Sequence, residues 1–156
     1  MANYYAMIVG ESRGSVRVLP GFRDPLVRYQ ITEGDRRSLA EGLRKLSELL
    51  FEAGAVNIWP AMSKAEPLLT RDELSKLPNV LPNGLTNLMT IHLFSSCPMG
   101  ENKSRCAVDS FGRVHGFKDI FVADASLLCS APGVNPQGSV MGLVRRNVSH
   151  FLKNCR

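Results

Sequence analysis

The sequence predicts an α+β fold, an antiparallel sheet flanked by helices. The first thirty residues read as short β segments cut by turn residues, and two of them, 15–19 and 26–31, alternate polar and apolar side chains as half-buried strands do. Two later stretches repeat apolar residues every three or four positions, the spacing of a helix with one buried face. A 156-residue chain that is 44% apolar can bury a core as one domain, so a single domain over residues 1–156 is expected.

Taken in order, residues 4–9 form a candidate strand, Glu11-Ser12-Arg13-Gly14 a turn, and residues 15–19 a second, alternating strand. Pro20-Gly21 interrupts the chain before a third run over residues 26–31, which gives a hairpin followed by one more strand. Thr32 then opens a helix as its N-cap, with Asp35 where a capping-box acid belongs. Leu39, Leu43, Leu46, Leu50 and Ala53 supply its apolar stripe, and Gly54 ends it. Residues 56–59 read as a short strand stopped by Pro60, with Trp59 as a packing residue. Thr70-Arg71-Asp72-Glu73 caps a short helix that Pro78 cannot extend, and residues 78–87 are loop.

Two more buried strands are expected, over residues 88–94 with His92 near the end, and over residues 120–123 ending at Asp124. A last helix begins with Asn135 as N-cap and Pro136 at the first helical position. Val140, Val144, Val148 and Leu152 form its stripe, and Arg145, Arg146, His150 and Lys153 gather toward its negative end.

Composition narrows the function. The formal charge is +5, but the basic residues are spread along the chain, interleaved with acids except near the C-terminus and without clustered aromatic partners. A general solubility charge is expected, and no nucleic-acid surface. No apolar run approaches the ~20 residues that cross a bilayer, so no membrane partner is expected. The N-terminus lacks a basic region followed by an apolar one, which makes cytoplasmic residence the default. Cysteines at 97, 106, 129 and 155 are too few and scattered for a disulfide framework and read as small buried residues. His92, Cys97, Cys106 and His115 lack the tight paired spacing of structural zinc, so no metal is expected.

Polar chemistry gathers between residues 90 and 137. The stretch opens Thr90-Ile91-His92-Leu93-Phe94-Ser95-Ser96-Cys97-Pro98-Met99-Gly100. Val108-Asp109, Gly112-Arg113-Val114-His115-Gly116-Phe117 and Val122-Ala123-Asp124-Ala125-Ser126 follow, and Gly133-Val134-Asn135-Pro136-Gln137-Gly138 leads into the last helix. An imidazole near neutral pH can accept a proton, so His92 is a candidate base, although taken alone it reads as a hydrogen-bonded structural histidine. An amide cannot, but the Asn135 side chain can donate a hydrogen bond to a substrate oxygen. The N-terminus of the helix beyond it offers free N–H groups and positive potential.

These spaced motifs, agreeing in order, resemble the C-terminal signature of the glucose-methanol-choline (GMC) family of FAD-dependent oxidoreductases. The resemblance covers essentially the whole chain but only the C-terminal, substrate-domain-like portion of the family, with residues 88–156 holding the catalytic and flavin-facing motifs. It implies oxidation of a CH–OH group by hydride transfer to FAD, with His92 as the base beside the flavin and Asn135 as the second member of the catalytic pair. The Gly-Val-Asn-Pro form is similar to the cholesterol-oxidase branch. Asp124, Ala125, Asn135, Pro136 and Gln137 are the implied cofactor contacts, and the helix N-terminus would face the flavin ring. His115 matches a non-catalytic family variant and reads as structural or surface, and His150 takes no role.

Two departures stand out. No Gly-x-Gly-x-x-Gly follows a strand, so the N-terminal FAD-binding Rossmann unit, and with it most of the FAD site, is lacking. Ser95-Ser96 also stands where the usual pattern has Gly before Thr or Ser. The implied partners are an alcohol or sugar-like small molecule and an N-terminal FAD-binding domain or chain. The isolated chain is expected to be inactive. A subunit of a split enzyme, an inactive fragment and a binding module are the alternatives.

Overall fold

The computed structural model describes residues 2–154, so Cys155 lies outside the described residues. The chain divides into two compact units, residues 1–89 and 90–156.

The first unit begins with a hairpin. Strands β1 (Gly14–Arg17) and β2 (Leu26–Tyr29) pair antiparallel, with Gly14 opposite Tyr29 and Arg17 opposite Leu26. The α+β class is therefore realised as a two-stranded antiparallel sheet with helices. The hairpin joins the second and third expected strands, not the first and second. Residues 4–9 have strand composition but form no ladder, and Tyr4, Tyr5, Met7 and Val9 are exposed. Strand composition marks a segment able to lie on a sheet, but a strand also needs a partner edge, and these residues pair with none among those described.

Helix α1 (Glu33–Glu52) follows, and the Thr32 side chain accepts the Asp35 amide as an N-cap should. Asp35 does not complete a capping box. Its carboxylate, only 5% exposed, turns to the N-terminal segment and accepts the amides of Glu11 at 2.9 Å and Ser12 at 2.8 Å, plus the Ser12 hydroxyl. The same hydroxyl oxygen accepts the Thr32 amide at 2.9 Å. Desolvation pushes the Asp35 pKa up, but the hydrogen bonds from Ser12, Glu11 and Thr32 outweigh it and hold the group below its ordinary value.

The expected stripe of α1 is half-buried through Leu39, Leu43, Leu46 and Leu50, but Ala53 is exposed beyond the helix end. The deepest positions are Ala40 and Ser47, where small side chains let the helix approach its neighbours. The Ser47 hydroxyl is satisfied by the Leu43 carbonyl at 2.8 Å. Gly54, at φ 89°, takes the left-handed turn that ends the helix.

Leu43, Leu50, Phe51, Ala55 and Met62 pack against a core of Ile58, Leu68, Leu74 and Leu77. Residues 56–59 do not form a strand. A single bridge pairs Ile58 with Leu68, and Trp59 next to it is exposed, not packed. The capped segment after Thr70 is a 3₁₀ helix, Arg71–Lys76. Thr70 makes no side-chain cap, but Glu73 reaches back to the Leu69 amide at 2.6 Å. Arg44 fastens this element to α1 by donating to the carbonyls of Leu74 at 2.7 Å and Leu77 at 3.0 Å. Residues 88–94 form no strand, and Met89, Ile91 and Leu93 are exposed. Among the described residues no helix is long and apolar enough to cross a membrane.

Asp35→Ala removes the acceptor shared by Glu11 and Ser12 and leaves their amides unpaired. Urea unfolding should show a loss of about 1–3 kcal/mol at neutral pH, the cost of orphaned donors. Folding lowers the pKa of this carboxylate, so its contribution is present above the ordinary carboxylate range and lost as pH falls through the folded value. The gap between wild type and variant should therefore close below about pH 4. A gap that persists into acid would contradict the assignment.

Candidate functional site

The second unit is knitted from loops. Residues 95–99 lie along residues 126–128: the Ser95 hydroxyl donates to the Leu128 carbonyl at 2.7 Å, the Cys97 amide to Ser126 and the Met99 amide to Leu127, both at 3.2 Å. From there isolated bridges link Met99 to Val108, Val108 to Val114 and Arg113 to Phe121. The strand expected over residues 120–123 is reduced to that last bridge. Two side chains form the centre of this lattice, Leu127 with no exposed surface and Val108 with 1%.

The Asp124 motif begins a 3₁₀ helix, Ala125–Leu127, which puts Leu127 into the core. Asp124 caps it, accepting the Ser126 amide at 2.8 Å. The hydrogen bonds from the side chain and amide of Ser126 outweigh desolvation and hold the Asp124 carboxyl below its ordinary value.

Helix α2 (Gln137–Asn154) starts one residue later than expected, with the Val140 amide donating to the Pro136 carbonyl at 2.9 Å. Its packed face also differs from the expected stripe. Val140 and Val144 are half-buried, but Val148 and Leu152 are exposed, and Asn147 is the buried residue at 5%. A strict four-residue spacing drifts about 40° around the helix at each step, so a stripe drawn that way leaves the contact face after two turns. Phe111 seats the helix. The His150 ring stacks on it at 3.6 Å and the Arg146 guanidinium lies 4.3 Å from its centre, while Arg146 donates to the Ser110 carbonyl at 2.8 Å. Phe121 meets Phe151 edge-on at 5.0 Å. His150 thus has a packing role that its surface-like setting in the sequence concealed.

The turn carrying Phe111 is held by Asp109, whose carboxylate accepts the amides of Phe111 at 2.9 Å and Arg113 at 3.0 Å. Burial raises the Asp109 pKa, but those amides and the Arg113 guanidinium bring it below its ordinary value. Gly112, at φ 87°, lies within this turn, and a side chain there would come 2.6 Å from the Val122 carbonyl oxygen. His115 is tied down: its amide donates to Ala107 at 3.1 Å, and its Nε2–H to the Gly100 carbonyl at 3.0 Å.

Among the predicted site residues, His92 is half-buried in the irregular segment before Ser95, its ring centre 6.2 Å from that of Phe94. Asn135 is exposed just outside α2, Pro136 is half-buried and Gln137 is exposed. Ala125 is half-buried behind exposed Asp124. The structure therefore joins the segment following His92 to the element that Asp124 begins. Among the described residues no hydrogen bond links His92 to Asn135. Two hollows, of about 350 and 210 Å³, lie around Asp109, Arg113 and His115 and around Phe111, Phe121 and His150, and neither is lined by His92, Asp124 or Asn135.

The residues present fit a flavin on one count. The first-turn amides of α2 have no acceptor within the helix, as at any helix start, and Gln137, Gly138 and Ser139 are exposed. The cysteines are not the buried residues expected. Cys97 and Cys106 are half-buried and Cys129 is exposed, all as free thiols, and Cys129 donates to the Met99 carbonyl at 3.3 Å.

A protein-family model described as GMC oxidoreductase matches residues 10–143. An uncharacterized GMC-type oxidoreductase of Sinorhizobium fredii is 48% identical over 92% of this chain, which covers 29% of the relative. A second, from Mycobacterium tuberculosis, is 35% identical over 92% of the chain and 22% of the relative. A long-chain-alcohol oxidase of Arabidopsis thaliana is 29% identical over 89% of the chain and 19% of the relative. The chain belongs to the GMC oxidoreductase family and corresponds to a C-terminal portion of it. It spans less than a third of the length of these relatives.

Gly112→Ala should destabilise the second unit by about 2–4 kcal/mol, combining the cost of a left-handed backbone with overpacking against a carbonyl. Denaturant unfolding checks this, and a loss below about 0.5 kcal/mol, the size of an ordinary surface substitution, would contradict the left-handed turn at Gly112.

Proposed function

We propose that this chain supplies the substrate-side catalytic groups of a FAD-dependent oxidoreductase acting on a CH–OH donor. The observation that carries the reading is the bonding of residues 95–99 to residues 126–128, which ties the His92 segment to the Asp124 element. Family membership and the long-chain-alcohol oxidase among the relatives support an alcohol as donor, with a sugar-like alcohol as the broader class.

FAD, when bound, would supply the hydride-accepting chemistry. The chain's own residues do the rest. His92 takes the hydroxyl proton as the donor carbon gives up its hydride, which avoids building a full alkoxide or a protonated carbonyl. The Asn135 amide donates to the same oxygen and holds the carbon in line. Asp124, Ala125, Pro136, Gln137 and the first-turn amides of α2 would line the cofactor, and the positive end of that helix favours the charge of a reduced ring. The groups assigned here do not line the hollows around His115 and His150 described above. An opposing surface, the N-terminal FAD-binding portion carried by a domain or a separate chain, would close the site and exclude water.

In the FAD-loaded enzyme that contains this sequence, His92→Ala should slow flavin reduction by roughly 10²–10⁴-fold, the range for a positioned general base. Asn135→Ala should slow it less, and His115→Ala should leave it nearly unchanged, because its ring is committed to the Gly100 carbonyl. Anaerobic stopped-flow reduction isolates this step. Equal effects at His92 and His115, or none at His92, would overturn the reading.

A further inference from the structure

We infer that Ser95 is a positioning residue for His92, through a left-handed turn that its own hydroxyl holds in place. The inference rests on the assignment of His92 above. Two non-glycine residues among those described have positive φ, Lys64 at 65° and Ser95 at 63°. Lys64 is exposed, but Ser95 is half-buried and stands three residues after His92. A Cβ disfavours this backbone region, and serine lacks the enrichment there shown by asparagine and aspartate. Something must compensate.

The compensation is visible. Ser95 Oγ donates to the Leu128 carbonyl at 2.7 Å, and the bonds from Cys97 to Ser126 and from Met99 to Leu127 anchor the chain beyond the turn. Ser95 is therefore the last fixed point before the His92 segment departs. With an ordinary negative φ the chain would leave residues 126–128 in another direction and carry His92 with it. The serine also stands where the resembling motif has glycine, which takes such a φ without steric cost. The hydroxyl does by bonding what the missing Cβ would do by absence.

Three variants separate the turn from the hydroxyl and from the base. Ser95→Ala keeps the Cβ and loses the bond, Ser95→Gly loses both, and His92→Ala is the reference. In the FAD-loaded enzyme S95A should slow flavin reduction by roughly 3- to 10-fold, the effect of losing one ordinary hydrogen bond, with KM little changed. S95G should return the rate toward wild type. In the full 156-residue chain, the His92 ring signals in a ¹H–¹⁵N spectrum should move in S95A and move back in S95G, while the His115 and His150 signals stay. Thermal melts identify any variant that has simply lost its fold, and the ring signals are compared below that transition. If S95G is as slow as S95A, or if S95A is like wild type while H92A is slow, the inference is overturned. If H92A itself runs at the wild-type rate, the assignment of the base fails. An unmoved His92 signal in S95A would separately overturn the placement by Ser95.

Discussion

The burial of Leu127 and Val108 is the constraint on which the C-terminal unit depends. Among the described residues no strand there is longer than a single bridge, so the loops have no ladder to share the work of satisfying backbone groups. What holds them is a small apolar centre, Leu127 fully enclosed and Val108 nearly so, that keeps water from competing for the hydrogen bonds around it. Leu127 reaches that centre because Asp124 caps the short helix carrying it. The carbonyls exposed by the same helix and the residue beyond it receive Ser95, Cys97 and Met99. Core packing and site geometry thus share one set of residues, so a substitution at Leu127 would disturb the backbone after His92 before it touched any proposed catalytic group.

Apolar side chains are exposed along much of the chain. Ile91, Leu93 and Val134, which adjoin His92 and Asn135 in sequence, are all exposed. Single exposed apolar side chains are ordinary on a protein surface, and exposed ones also occur along the rest of the chain, Val18, Val56 and Trp59 among them. The relatives are more than three times the length of this chain. On the proposed function the remaining portion of such an enzyme covers the site residues. It would turn an open surface into a site where a proton and a hydride can be moved without water.

Local chemistry was legible in the sequence where the signal was itself local. Thr32 caps α1, Gly54 ends it, Pro78 stops the 3₁₀ helix, and the hairpin strands match the alternating runs to within a residue at their starts. Family membership was legible too, because several motifs agreed in order and the family model matches residues 10–143. What the pattern could not give was the choice of partner. Residues 4–9 and 88–94 have strand composition without an edge to pair with, and Asp35 reaches back to Glu11 and Ser12 although its position suggested a capping box. The buried polar residues of the two helices, Ser47 in α1 and Asn147 in α2, carry no apolar signal, and the small Ala40 only a weak one. Ser95 shows both sides. Its departure from the glycine pattern was visible at once, but its left-handed φ and its bond to Leu128 needed the fold.

Photolabelling tests the central claim most directly, that residues around His92, Asp124 and Asn135 together face a flavin. A FAD analogue with an azide on the isoalloxazine ring, loaded into the enzyme that contains this sequence and irradiated, marks the peptides within reach of the ring. The account predicts label on peptides covering residues 90–97, 124–126 and 133–138, displaced by unmodified FAD. Label confined to residues 101–118, around the two hollows, or to residues 1–89 would contradict it.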